Sequence, residues 1–311
     1  MNPAFSILFF TTLAGAAQGL VLALALAVLT GITLGHGFLL GALALAELLL
    51  VAGLAASFLH LGRKTRAWRA VLMWRTSWMS REVIVLPAFI GLVAIWWLML
   101  RADAAGAASA VLMPIVLLAG ALALWYCTAM IYACLRFIQE WAHPLTAVNF
   151  TLIGVSSGLV LACALAVLAG EATLLRQIAP WALAATLAAW CTRTLALRRN
   201  ASLRHKSTLQ SATGIKSERL VQKSMGMSAG AFNTREFFHG VTMATLSNIK
   251  WAAMLLTFAV PALLLVWGIA AGAGVAFVLA LLVQAPGLLA DRWYFFAQAK
   301  HPQNLYYQVV S

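Results

Sequence analysis

The stretch 57–87, "SFLHLGRKTRAWRAVLMWRTSWMSREVIVLP", holds two titratable residues whose positions suit proton chemistry. His60 closes one long apolar run and Glu82 opens the next. Between them stand Arg63, Lys64, Arg66, Arg69 and Arg75, with Arg81 immediately before the glutamate. An imidazole titrates at about pH 6.5 and can donate a hydrogen bond to a carbonyl oxygen. A carboxylate at the start of a helix can pass protons and suits the helix dipole. Reducing a quinone takes electrons and protons together at the membrane edge. A base bonded to a quinone oxygen, with a carboxylate leading to water, would supply the protons. The same residues admit a plainer role: His60 as an interfacial anchor, and Glu82 as an N-terminal cap partnered by Arg81 or another loop cation. On residue types alone both readings stand.

The elements that carry these two residues are apolar helices. The chain has 311 residues, of which 63% are hydrophobic and only 9% charged. Soluble chains carry about 25% charged residues. The apolar residues fall in runs long enough to cross a bilayer, which takes roughly 20 residues each. Eight spans are predicted, at about 5–29, 37–60, 82–100, 110–134, 147–168, 178–197, 251–271 and 272–296. The fold class is therefore all-α: one integral membrane domain over 1–311, a bundle of eight transmembrane helices. Loops at about 61–81 and 198–250 and a tail at about 297–311 lie outside it. Pro114 falls in the first turn of span 4, and Pro261 mid-run in span 7 predicts a kink. No Lys or Arg precedes the first run, and it is too long for a signal-peptide core, so it is expected to stay in the mature protein.

The net charge of +13 is distributed as a membrane protein's is. With eight spans, every Lys and Arg except Arg101 and Arg176 falls on the side that holds both termini. That is the positive-inside pattern, so both termini and the long loops are expected to be cytoplasmic. The same distribution argues against a nucleic-acid partner.

The remaining polar residues narrow the chemistry further. A haem-bearing anchor needs axial ligands, most often histidines, facing each other within the bilayer. His36, His143, His205, His239 and His301 fall in loops or the tail, and His60 at a span end, so no haem is expected. Cys127, Cys134, Cys163 and Cys191 lie in spans without metal spacing, and read as packing residues. Glu47, near the middle of span 2, is a candidate for a proton path or for locking helices together. So is Asp291, near the end of span 8, where a structural ion pair with the adjacent Arg292 or snorkelling is the plainer reading. Gly15-x-x-x-Gly19 and Gly154-x-x-x-Gly158 are small-residue seams for close helix packing. The 198–250 loop mixes "GAFNTREFFHG" into a basic sequence, which reads as a protein-docking surface, with anionic lipid the alternative. Its expected contacts are Arg235, Phe237 and His239, joined by His301 and Tyr306 of the tail.

These features resemble a family. "FLHLG" at the end of span 2 with Glu82 in "SWMSREV" is similar to the membrane-anchor subunits of dimethyl sulfoxide reductase-type complexes. "NPAFSILFFTTLAGAAQG", "GAFNTREFFHG" and "DRWYFFAQAKHPQNLYYQ" more narrowly resemble the anchors of cytoplasmic sulfite-oxidising complexes, over essentially the whole chain. The resemblance implies eight membrane helices in a bacterial inner membrane, no haem, and exchange of electrons with ubiquinone or menaquinone. It implies two partners: a subunit with iron–sulfur clusters, and a catalytic subunit with a molybdenum bis-pterin cofactor. Substrate chemistry would lie on the partner and the quinone site here, tied to the positions of His60 and Glu82. The run "RKTRAWRAVLMW" departs from the dimethyl sulfoxide reductase anchors, so their substrate does not carry over; the narrower resemblance, with partners on the cytoplasmic side, makes sulfite oxidation the first expectation. A quinol-oxidising anchor of an S- or N-oxide reductase is the second. A secondary transporter built on Glu47, or an anchor whose partner binds the quinone, remains open beside these.

Overall fold

The computed structural model describes residues 1–59, 61–102, 106–204, 206–224 and 232–307. His60 therefore lies outside the described residues. The described chain is helical, with no strand. The order is α1 (Phe5–Leu29), α2 (His36–Leu59), a 3-10 helix (Lys64–Met73), α3 (Trp78–Arg101), a π turn (Ala108–Leu112) running into α4 (Met113–Ala133), α5 (Pro144–Ala169) and α6 (Ala172–Ala201). Two short helices follow, α7 (Leu209–Thr213) and α8 (Phe232–Glu236). Then α9 (Met243–Met254) continues through a π turn (Leu255–Ala259) into α10 (Val260–Ala271), and α11 (Gly274–Ala297) leads to a last 3-10 helix (Pro302–Tyr306).

Seven of these helical stretches are long and apolar enough to cross a membrane, among them α1 to α5, Met243–Ala271 and α11. The more polar α6 has 30 residues, enough to run the length of the bundle. Three helices differ most in their bounds from the sequence expectation. The α3 helix begins at Trp78, a turn before Glu82, because Ser77 caps it by accepting from the Ser80 amide at 3.3 Å. The α6 helix is longer at both ends than 178–197. The helix of span 7 starts at Met243, inside the expected loop. The join between the last two spans is made by Gly272 at φ +64°, a left-handed C-cap that glycine adopts without strain.

The inner pair is α1 and α5. Helices gain little from hiding apolar groups from lipid, so close packing must hold them. Here the two glycine motifs form one seam. A Cβ on Gly19 would stand 2.2 Å from the Gly154 carbonyl oxygen, and one on Gly158 2.0 Å from the Gly19 carbonyl carbon. Trp125 packs against Gly154 of this pair, and Trp96 and Phe89 are fully buried in the same core.

Both π turns sit just before a proline, which cannot donate to the helix ladder. Each freed carbonyl receives a side chain from another helix. Trp96 Nε1 donates to Ser109 O at 2.9 Å, ahead of Pro114. Gln284 Nε2 donates to Thr257 O at 3.2 Å, ahead of Pro261. Gln284 also reaches Ser156 Oγ at 3.2 Å, and Ser156 shares a 2.8 Å hydrogen bond with Thr186. One polar chain thus ties α5, α6, α11 and the π turn together.

The connections sort onto two ends. At one, the Met1 amine donates to Ala297 O and Ala299 O, both at 3.2 Å, and Asn2 N to Glu236 O at 2.9 Å. At the same end Trp141 Nε1 donates to Phe295 O at 3.0 Å and Arg199 to Gln139 O at 3.1 Å. The opposite end joins Gly35 N to Glu171 Oε1 at 2.9 Å. The N-terminus, the start of the tail, the 4–5 connection and the described part of the connection ahead of α9 therefore share one end, and it is the basic one.

Candidate functional site

Glu82 stands in the second turn of α3 at the basic end, and is buried. Its Oε1 accepts a hydrogen bond from Thr128 Oγ1, near the C-terminal end of α4. A turn earlier on α3, the Trp78 ring meets the Tyr126 ring edge-on, with centroids 5.3 Å apart. Two contacts, one aromatic and one polar, therefore follow each other along the α3/α4 seam. Arg81 meets this seam at the Trp78 ring. Its guanidinium donates to Trp74 O at 3.0 Å and Arg75 O at 2.8 Å, and its carbon lies 4.1 Å from the Trp78 ring centroid. The cap reading of Glu82 is thereby overturned: Ser77 is the cap, and Arg81 turns back to the loop.

Glu47 lies mid-way along α2, part-buried, and its Oε2 is enclosed without a hydrogen-bond partner among the described residues. Asp291 is paired, but not with its neighbour. Its Oδ1 lies 2.6 Å from Arg193 Nε on α6, and both side chains are almost wholly enclosed. Arg292 points elsewhere, with its guanidinium carbon 3.9 Å from the centre of the Phe150 ring. The expected Asp291–Arg292 pair is corrected by helix geometry, since adjacent residues on a helix diverge by about 100°. Arg193 falls within the expected span 178–197, so a buried cation in need of a partner is readable there. The charge distribution, which assigns it to the basic loop, hides that signal. A pocket of only about 10 Å³ beside the pair is lined by Glu140, Asn149, Arg292 and Gln298 as well.

The five expected docking residues do gather at the basic end. His301 stacks on Phe237 with ring centroids 3.9 Å apart, and Phe137 meets it edge-on at 5.5 Å. Asn304 donates to Phe237 O at 2.9 Å, and Tyr306 donates to Ala212 O on α7. His239 and His301 each accept a backbone amide at Nδ1, from Val241 and Gln303. Arg235 is exposed. A cleft of about 450 Å³ lies among Met1, Lys206, Phe237, His239, Lys300 and His301. Burial, and then the nearby chain terminus, hold both histidines below their ordinary range. Burial also brings the Met1 amine down to about 6, partly opposed by Glu140. Phe237 and His301 thus spend their rings on each other, clasping the tail to the 6–7 connection. Among the described residues, no group of three His, Cys, Asp or Glu comes together to hold a metal ion.

This arrangement defines a multi-pass membrane protein whose polar groups gather at one basic end, beside a buried carboxyl on an outer helix seam. A family model for the DMSO reductase anchor subunit (DmsC) matches residues 1–296, and the chain belongs to that family. A sulfite dehydrogenase subunit of Allochromatium vinosum is 45% identical over 327 aligned residues, covering 100% of each chain.

Proposed function

We propose that the chain is the haem-free membrane anchor of a sulfite-oxidising complex that delivers electrons to the quinone pool. The observation that carries this reading is the full-length identity to a sulfite dehydrogenase subunit within the DMSO reductase anchor family. The chain crosses the membrane eight times, with α6 as the remaining span beside the seven apolar ones. The basic end faces the cytoplasm of a bacterium, with both termini, the 61–81 loop and the 198–250 loop on that side. The cleft and clasp at this end offer a seat for an iron–sulfur subunit, which in turn carries a molybdenum bis-pterin catalytic subunit.

The α3/α4 seam fits a quinone head group in its donor set. Trp78 and Tyr126 supply aromatic faces, and Glu82 a carboxyl shielded from bulk water. When bound, the quinone accepts the electrons and protons released by substrate oxidation. The protein's part is to hold and deliver protons. His60, one position beyond the end of α2 in the sequence, would bond a quinone carbonyl oxygen and supply its proton. Glu82 receives replacement protons from the cytoplasmic side, and Thr128 fixes the orientation of its carboxyl. Asp291 locks α11 to α6 and stays out of the proton path.

The test is purification of the complex from native membranes, followed by assay. Iron–sulfur and molybdenum subunits should accompany the chain, and sulfite should drive quinone reduction. His60→Ala should abolish quinone-coupled turnover while an artificial acceptor still supports sulfite oxidation. A chain that purifies without partners, or a variant with wild-type quinone reduction, would sink the reading.

A further inference from the structure

The Lys64–Met73 helix takes no part in the clasp, the α3/α4 seam or the bundle core. A 3-10 helix repeats every three residues, and runs of this length are uncommon, so its period is worth reading. Three stripes result. Lys64, Ala67, Ala70 and Met73 form one, and its two alanines are part-buried against the body. Trp68 and Val71 form the second, continued by Trp74 at the C-cap; all three are exposed, Trp68 at 63%. Arg66, Arg69 and Leu72 form the third, continued by Arg75, and these too are exposed.

An outward aromatic stripe therefore runs beside an outward cationic one. Aqueous exposure of Trp68, Val71, Leu72, Met73 and Trp74 together is costly, and each of them remains between 38% and 64% exposed. Two observations name the occupant. The first is charge: no acid lies between Glu47 and Glu82, while Arg63, Lys64, Arg66, Arg69 and Arg75 are all exposed. The second is continuity. The segment is strung between Phe58 and Leu59 at the end of α2 and Met79, Val83 and Ile84 at the start of α3, all outward-facing on membrane helices. Arg81 ties its far end to α3 through Trp74 O and Arg75 O. Arginines lie over indole rings at both places, Arg69 on Trp68 at 5.6 Å and Arg75 on Trp74 at 5.4 Å. Such pairs let an arginine stay near the aromatic layer while its outer face meets an anion.

We propose that residues 62–77 form an interfacial anchor lying flat on the bilayer, which binds anionic phospholipid head groups. The Trp68–Val71–Trp74 stripe enters the boundary of the acyl chains, and Arg66, Arg69 and Arg75 meet the phosphates. A protein partner fits less well, because its binding would leave the stripe to be covered away from the lipid that already flanks it. The anchor spans the chain between the end of α2 and the start of α3, so anionic lipid would fix the spacing of those two helix ends. Any bearing of that spacing on quinone chemistry rests on the proposed function; the anchor itself does not.

The experiment is backbone hydrogen exchange on the full-length protein in two sets of nanodiscs, one of phosphatidylcholine and one with a third phosphatidylglycerol. Peptides covering 64–75 should exchange about fivefold slower in the anionic discs, and the difference should shrink at high salt. The triple variant Arg66→Gln, Arg69→Gln, Arg75→Gln should lose the difference, with α3 exchange unchanged to show that the bundle is intact. Inorganic phosphate added to the neutral discs should not reproduce it. Equal exchange in the two discs would overturn the proposal. So would protection that appears only when partner subunits are added, or that free phosphate restores. Loss of quinone turnover is not read, so failure here leaves the proposed function to its own test.

Discussion

Thr128 on α4 donates its hydroxyl to the carboxyl of Glu82 on α3, a polar tie across the seam between these two helices. A single neutral donor leaves a buried carboxyl free to exchange its proton, where a guanidinium partner would pin it as the anion. Glu82→Gln should therefore lower quinone-coupled turnover by about 100-fold, the lower range for a lost general acid–base group. Thr128→Val keeps the shape and removes the donor, and should cost about 10-fold. Both variants should assemble and keep full sulfite oxidation with an artificial acceptor. Equal loss with both acceptors would mean that the seam supports assembly alone.

The Arg193–Asp291 pair should behave as a lock between α6 and α11. Removing one partner leaves a buried charge alone, at a cost of about 3–5 kcal/mol, whereas an apolar replacement of both is nearly neutral. Asp291→Asn should sharply lower the melting temperature of the detergent-solubilised protein, and the double variant Arg193→Met, Asp291→Leu should recover most of it. Quinone kinetics of the double variant should be close to wild type. A double variant that is stable yet inactive would move Asp291 into the proton path.

The glycine seam gives a sharper contrast. A Cβ at Gly158 meets the backbone of Gly19, which cannot move aside as a side chain can. Gly158→Ala should prevent a monodisperse bundle. Gly15→Ala should be tolerated, because its Cβ would stand 3.9 Å from the nearest atom, Gly154 Cα. Size-exclusion profiles of the two variants decide the matter. Two equally well-behaved proteins would show that the helices can part without loss.

Apolar run length makes the membrane helices legible, since nothing else hides so many Leu, Ala and Val residues. The GxxxG motifs are legible as seams, though which pair meets is not, because the spacing names a face and not its partner. At the site, Glu82 stands out as an acid at a span edge. Thr128 does not, because a threonine in a helix can satisfy its hydroxyl on its own backbone, as Thr11 does through Ile7 O. The Asp291 partner is hidden for a related reason. Adjacency in sequence suggests Arg292, while the helix turns adjacent side chains apart and brings Arg193 in from another helix. The π turns are half legible: Pro261 marks the break, and Gln284, which repairs it, lies a helix away.

The clasp at the basic end should loosen in acid. The Met1 amine, brought from 8.0 to about 6 by burial, is held toward its neutral form in the fold. An unfolded amine takes up its proton first as the pH falls, so the fold loses stability between about pH 8 and 6, by about 3 kcal/mol when complete. His239 and His301, also held below their ordinary range, extend the loss below about pH 6.5. Once charged, the three groups repel one another across the cleft. Backbone exchange in 298–306, corrected for its intrinsic pH dependence, should therefore rise as the pH is lowered from 8 to 5.5. His301→Phe keeps an aromatic ring against Phe237 without a titratable nitrogen, and should hold the tail better at pH 5.5 than wild type. Glu140→Gln removes the acid that favours the charged amine, and should move the Met1 midpoint lower still. Exchange that is flat across this range, or unchanged by His301→Phe, would show that the clasp is held by ring packing alone.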